Sequence, residues 1–156
     1  MALTASESEK LRTGAITHLR AGDARKAREM LEQICTPDSG VAPPWLLLAH
    51  ACRMLGDDAG EQAALQRLLM IDKRNLAALL LMGELKSRID DDRGASSFYK
   101  AALNMVSAGA AVSADLRPKL QQAQDFLAGA QGRFEAFLLR RLDDAGLAGN
   151  DTPIPV

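Results

Sequence analysis

Residues 79–103 read LLLMGELKSRIDDDRGASSFYKAAL, and the reading of this stretch decides the fold. Leu79, Met82 and Gly83 open a helical run that turns at Asp90–Asp92. Ala95, Phe98, Tyr99, Ala102 and Leu103 then resume steps of three and four. Two amphipathic helices joined by a tight acidic turn make a helical hairpin. Upstream the same arrangement recurs: Trp45, Leu48, Ala49 and Cys52, then Gly56-Asp57, then Ala64, Leu65, Leu68 and Ile71. It recurs once more with Leu11, Ala15, Ile16 and Leu19, the break at Gly22-Asp23, and Ala24, Ala27, Leu31 and Ile34. Gly22, Gly56 and Asp90 stand 34 residues apart in turn. A fixed period of that size is the signature of a helical repeat array.

The fold class predicted is therefore all-α, an α-solenoid of three helical hairpins over about 7–35, 44–72 and 75–106. Ser6 and Glu9 form a capping box at its start, each side chain placed to satisfy the other residue's free backbone N–H. Thr36–Pro44, with three prolines and a glycine, is the longest loop of the first half. A small-residue loop, Ser107–Ser113, follows the third hairpin, with Asp115 as a helix cap and Pro118 inside the first turn. Leu116, Leu120, Ala123, Leu127, Ala130, Phe134, Phe137, Leu138 and Leu142 then predict a long C-terminal capping helix within 107–147. Gly129 and Gly132 each weaken it by about 1 kcal/mol relative to alanine, which predicts a kink near 129–132. Asn150–Val156 carries two prolines, and 148–156 reads as a flexible tail.

Composition agrees with this and narrows function. Only 4% of residues are aromatic, against 47% hydrophobic overall, which suits helices packed through alanine and leucine and not a β-sandwich. A net charge of -1 leaves no electrostatic footprint for nucleic acid or an anionic membrane. Neither Trp45–Ala51 nor Leu76–Met82 approaches the ~18 apolar residues that span a bilayer. The first twelve residues lack the basic and apolar runs of a signal peptide, so a cytoplasmic location is the expectation. Cys35 and Cys52 lack CxxC spacing and read as small buried hydrophobes.

The 34-residue pattern resembles the tetratricopeptide family, through Gly83, Ala95, Tyr99 and Ala102 in the third hairpin. Ala15, Ala27, Leu31 and Ile34 take the same roles in the first, and Trp45, Leu48, Ala49, Leu65 and Leu68 in the second. Helices approach to about 8–10 Å where small residues occupy the crossing and large ones flank it. Three positions depart from the family pattern. Glu61 replaces a small alanine, so looser packing or a register shift is expected there; Lys73 replaces a proline; Asp90 replaces the third turn glycine. A narrower resemblance rests on LLMGELK, DDDRGASSFYKAAL, DLRPKL and FLLRRLDDAGL. These runs are similar to the repeat segment preceding the catalytic domain of bacterial aspartyl/asparaginyl β-hydroxylase-like proteins. That resemblance implies an iron- and 2-oxoglutarate-dependent β-barrel oxygenase downstream. The present chain has only His18 and His50, each in a predicted helix, and no His-x-Asp.

No phosphate loop, Ser/His/Asp set or nucleophile elbow is present, so neither catalysis nor a cofactor or metal is expected. Asp90, Asp91 and Asp92 lack the alternate spacing of a calcium loop and read as a solvated turn. What remains is surface. The family resemblance implies a partner-binding groove on the concave face, lined by the first helix of each hairpin. Here those residues are Arg12, Ile16, Leu19 and Arg20; Leu46, His50 and Arg53; and Leu80, Glu84, Ser87 and Arg88. Arginines among aliphatic residues suit a peptide or protein partner with carboxylates and apolar anchors. Ile16 and Leu46–Leu47 stand near where the family's carboxylate clamp has asparagines, which disfavours chaperone C-termini. Phe134, Phe137, Leu138 and Leu142 lie beyond the reach of a short cap and are expected to pack on a second copy or on a downstream domain.

Overall fold

The computed structural model describes residues 2–144 of the 156-residue chain. The described residues form helices and loops without a strand. The helices are α1 (Ala5–Arg20), α2 (Ala24–Ile34), α3 (Ala42–Met54), α4 (Asp58–Ile71), α5 (Leu76–Arg88), α6 (Asp92–Ser107) and α7 (Arg117–Asp144). A 3-10 turn, Ala114–Leu116, leads into α7. The closest packing is within the pairs α1–α2, α3–α4 and α5–α6; α2–α3, α4–α5 and α6–α7 join one pair to the next. The result is an all-α solenoid of three hairpins with a long C-terminal helix against the last. The tail expected over 148–156 lies outside the described residues.

The period survives in three dimensions because each turn is built the same way. Gly22 and Gly56 adopt φ of 81° and 71°, a left-handed conformation that costs glycine little, and Asp90 takes it at 61°. The next residue in each case is an aspartate: Asp23, Asp57 and Asp91 accept the backbone N–H of Lys26, Gly60 and Gly94. Each carboxylate so caps the second helix of its hairpin. Asp91 is thus a cap and exposed Asp92 opens α6, so the acidic triplet is a turn.

Two core clusters follow from the stacking. One joins the first two hairpins to Ala78, Leu81, Met82 and Leu85 of α5. The other places Leu76, Leu79 and Leu80 of α5 with Ala95, Tyr99 and Ala102 of α6 and Leu120 and Ala123 of α7. A helix between two neighbours must be apolar on opposite faces, which explains the near-continuous hydrophobic run of α5. Gly83 of α5 lies directly against the Tyr99 ring of α6, with no room between them for a side chain. A Cβ there would fall inside the van der Waals envelope of the buried Tyr99 ring. Tyr99 in turn meets the Phe126 ring of α7 edge-on, with centroids 5.3 Å apart.

Several local expectations change. The capping box is formed by Thr4 and Glu7, not Ser6 and Glu9. The Thr4 hydroxyl accepts the Glu7 N–H at 3.2 Å and Glu7 accepts the Thr4 N–H at 2.8 Å. Glu9 is held instead by Arg12. Pro43 and Pro44 do not end the loop but sit in the first turn of α3, where a missing N–H costs little. Asp115 lies within the 3-10 turn and not at a cap. α7 runs through Gly129 and Gly132 without a break.

Glu61 causes no register shift. α4 begins 34 residues after α2 and 34 before α6, with Glu61 only 1% exposed inside it. Arg88 reaches back from α5 to pair with both Glu61 and Asp58. Burial pushes the Glu61 carboxyl above its usual range, and the Arg88 guanidinium partly opposes that shift. A carboxylate occupies the small-residue site because the next hairpin supplies its counter-charge.

Candidate functional site

The solenoid stacks α1, α3 and α5 side by side, and α7 continues the series where the first helix of a fourth hairpin would stand. Between α1, α3 and α7 lies an open groove of about 500 Å³. Its apolar lining is Ile16, Leu19, Leu47 and Met54; its polar lining is Arg20, His50, Arg53 and Lys119. Ile16, His50 and Glu84 share one repeat position, 34 residues apart, on α1, α3 and α5. Helical periodicity alone brings these three side chains onto one face.

Glu84 organises the cations. Arg53 donates to both its carboxylate oxygens, from Nη1 at 2.9 Å, and the Lys119 ammonium donates at 2.8 Å. Burial alone would raise the Glu84 carboxyl, but the hydrogen bonds from Arg53 and Lys119 outweigh it and hold the group below its usual range. One half-buried carboxylate therefore pins a guanidinium from α3 and an ammonium from α7. Each keeps donors to spare. Burial, and then the charges of Arg53 and Lys119, push the His50 imidazole below its ordinary value, so at neutral pH it is uncharged. Arg20 is exposed at the rim.

The structure brings Ile16, Arg20, His50 and Arg53 together, with Glu84 as the counter-ion of Arg53. It does not bring Leu80 there. That side chain is 1% exposed beneath α7, which covers the position left open in the earlier hairpins. Nor is Arg88 a groove residue, because its guanidinium is committed to Asp58 and Glu61 on α4. Arg12 is paired with Glu9 and borders a separate depression near the α3 prolines. Leu46 is half-buried against the first core cluster. Lys119 is a groove residue that the repeat pattern did not point to. His18 is not part of the groove lining; it lies 3.7 Å from Asp23 at the first turn.

Other chemistry is sparse. Among the described residues no group of three or more His, Cys, Asp or Glu side chains is placed to hold a metal ion. Cys35 and Cys52 are unpaired thiols. Burial pushes Cys35 up to about 12 and raises Cys52 as well, so neither is a ready nucleophile. No described helix is long and apolar enough to cross a membrane.

No protein-family model and no curated protein matches the chain. Several solved structures share its fold. PcrH in complex with the chaperone binding region of PopD superposes with a TM-score of 0.72 at 18% identity, over 84% of this chain and 96% of that one. A chain from a T3SS complex of Aeromonas hydrophila gives 0.71 at 18% identity, over 85% of each chain. The Sgt2 TPR domain from Aspergillus fumigatus gives 0.65 at 16% identity, over 99% of this chain and 91% of that one. At such identities the likeness establishes the tetratricopeptide-like fold.

Proposed function

We propose that the chain is a protein-interaction module that takes a segment of a partner protein in the groove between α1, α3 and α7. The observation that carries this is the lining itself: Arg20, Arg53, Lys119 and His50 set among Ile16, Leu19, Leu47 and Met54. Such a surface fits an acidic side chain flanked by bulky apolar ones, the first met by charge-assisted hydrogen bonds and the second by the aliphatic lining. That PcrH, with the same fold, holds a region of another protein supports the reading.

A labelled peptide of alternating leucine and glutamate is the direct probe, with its leucine–lysine counterpart as control. Fluorescence anisotropy should show the acidic peptide bound and the basic one not. Arg20→Glu combined with Lys119→Glu should weaken the acidic peptide by roughly tenfold or more, since two cationic contacts become repulsive. Equal binding of the two peptides, or an indifferent double variant, would count against the groove.

The pH dependence follows from His50. In the free groove its pKa is depressed, first by burial and then by the charges of Arg53 and Lys119, with Glu84 favouring protonation. A bound carboxylate favours the imidazolium and raises that pKa. Affinity for the acidic peptide should therefore climb a few-fold as pH falls from neutral toward 5.5, while the peptide's own carboxylates stay ionised. His50→Gln should flatten that rise; an unchanged profile in the variant would remove His50 from the site.

The similarity to the segment preceding hydroxylase catalytic domains supports a second reading with the same groove, that of a recognition segment beside an oxygenase. The runs LLMGELK and FLLRRLDDAGL support it. A genomic reading frame continuing beyond the Val156 codon into a strand-rich, histidine-bearing region is its test. A stop codon at that point would end it.

A further inference from the structure

From Gln131 to Leu142 every side chain of α7 is exposed. Five of them are large and apolar: Phe134, Phe137, Leu138, Leu139 and Leu142 are between 43% and 61% exposed. Phe134, Phe137, Leu138 and Leu142 share one face, where at roughly 100 Å² each they make an apolar patch on the order of 400 Å², within the range of the largest patches on ordinary monomers; Leu139 stands about half a turn from Phe137. Nor is the patch isolated. Leu120, Ala123 and Leu127 lie along the α7 face that packs against the third hairpin, with Leu116 in the 3-10 turn just before them. Further steps of three and four reach Ala130, Phe134 and Leu138. The helix's buried stripe thus continues past the last hairpin, and no described residue covers it.

We propose that the last three turns of α7 pair, antiparallel, with the same turns of a second copy of this chain, across a two-fold axis at Leu138. Three features support that occupant. Phe134, Leu138 and Leu142 are spaced by four residues on either side of Leu138, so a two-fold there sets Phe134 level with the partner's Leu142 in an isologous contact. The charges of residues 131–144 balance: Arg133, Arg140 and Arg141 against Glu135, Asp143 and Asp144. The segment therefore neither repels its own copy nor selects a strongly acidic or basic partner. Antiparallel packing also sets the two helix dipoles in opposition. Pairing that face buries about 800 Å² of apolar surface over the two copies, together with flanking polar atoms, which falls among small, transient interfaces, so the dimer is reversible and dependent on concentration. This contact is independent of the groove and gives an assembly with two grooves.

Sedimentation of the full chain from low to high micromolar concentration tests the proposal. The weight-average mass should rise from one chain toward two. Leu138→Arg and Leu138→Glu should each remain monomeric, because position 138 faces itself and like charges meet there. An equimolar mixture of the two should dimerise again, with arginine against glutamate. At the low concentration where the unaltered chain is also monomeric, both variants should keep its helical circular dichroism and melting temperature, since these turns add nothing to either core. A wild-type chain that stays monomeric throughout would overturn the proposal and leave the stripe to a following domain. A dimer that survives both substitutions, or a mixture that stays monomeric, would overturn it equally.

Discussion

Gly83→Ala should destabilise the protein by about 2 kcal/mol, even though the same exchange in an open helix would stabilise it by about 1 kcal/mol. The reason is the Tyr99 ring. It is 1% exposed, fixed between α5 and the Phe126 ring of α7, and the new methyl would overlap its edge. Ring and helix must part, and close-packed interiors do not do that cheaply. The chain itself suggests the remedy. At the positions equivalent to Gly83 and Tyr99 the first hairpin carries Ala15 and Leu31, and the second Ala49 and Leu65, all buried. Glycine appears only where the facing residue is tyrosine.

Tyr99→Leu alone should cost about 2–3 kcal/mol by leaving a void and ending the edge-on contact with Phe126. Combined with Gly83→Ala it should cost less than the sum of the two, because the alanine methyl occupies space the ring vacates. Urea unfolding of the four proteins gives the coupling energy, expected to be roughly 1–2 kcal/mol in favour of the pair. Additive losses would show that Gly83 and Tyr99 do not determine each other.

How far the sequence could be read follows from the same periodicity. Turn geometry and helix capping are local, so Gly22, Gly56 and Asp90 and the aspartates after them marked three hairpins directly. The groove was legible where a residue's surroundings repeat with the helix, as for Ile16 and His50. It was not legible where a neighbour breaks the repeat. Leu80 occupies the position of Arg12 and Leu46, but α7 covers only the last hairpin and buries it. Lys119 lies 35 residues beyond its partner Glu84, outside the 34-residue register, on a helix that is not itself a repeat. Arg88 matches Arg20 in register, and periodicity assigned both to one face. The buried Glu61 draws Arg88 to α4 instead, and the signal was already present in a carboxylate standing at a small-residue site.

That displaced arginine yields the second large effect. Arg88→Ala should cost about 3 kcal/mol at pH 8, since it leaves the Glu61 carboxylate, with a side chain 2% exposed, without its counter-charge. Asp58, the other acceptor of Arg88, is more exposed, at 47%, and can fall back on water. The loss should depend on pH in a definite direction. Burial raises the folded-state pKa of Glu61 above the unfolded value, and removing Arg88 raises it further. The folded variant then binds a proton that the unfolded chain does not. Its stability deficit should shrink as pH falls from 8 toward about 5, through the variant's folded pKa and down to the lower folded pKa of the unaltered protein.

Glu61→Ala offers the control, because Ala27 and Ala95 hold the equivalent positions in the other two hairpins. In the Arg88→Ala background it should return stability to within about 1 kcal/mol of the unaltered protein, by removing the charge that cannot be solvated. Urea unfolding at pH 5 and pH 8 separates this account from simple loss of packing by the arginine's aliphatic stem. A deficit equal at both pH values and untouched by Glu61→Ala would mean that packing, and not the buried carboxylate, is what Arg88 serves. A deficit that fades with acid and with Glu61→Ala would establish that the second hairpin depends on the third for its counter-charge. The two hairpins would then be coupled units of folding, not independent modules placed side by side.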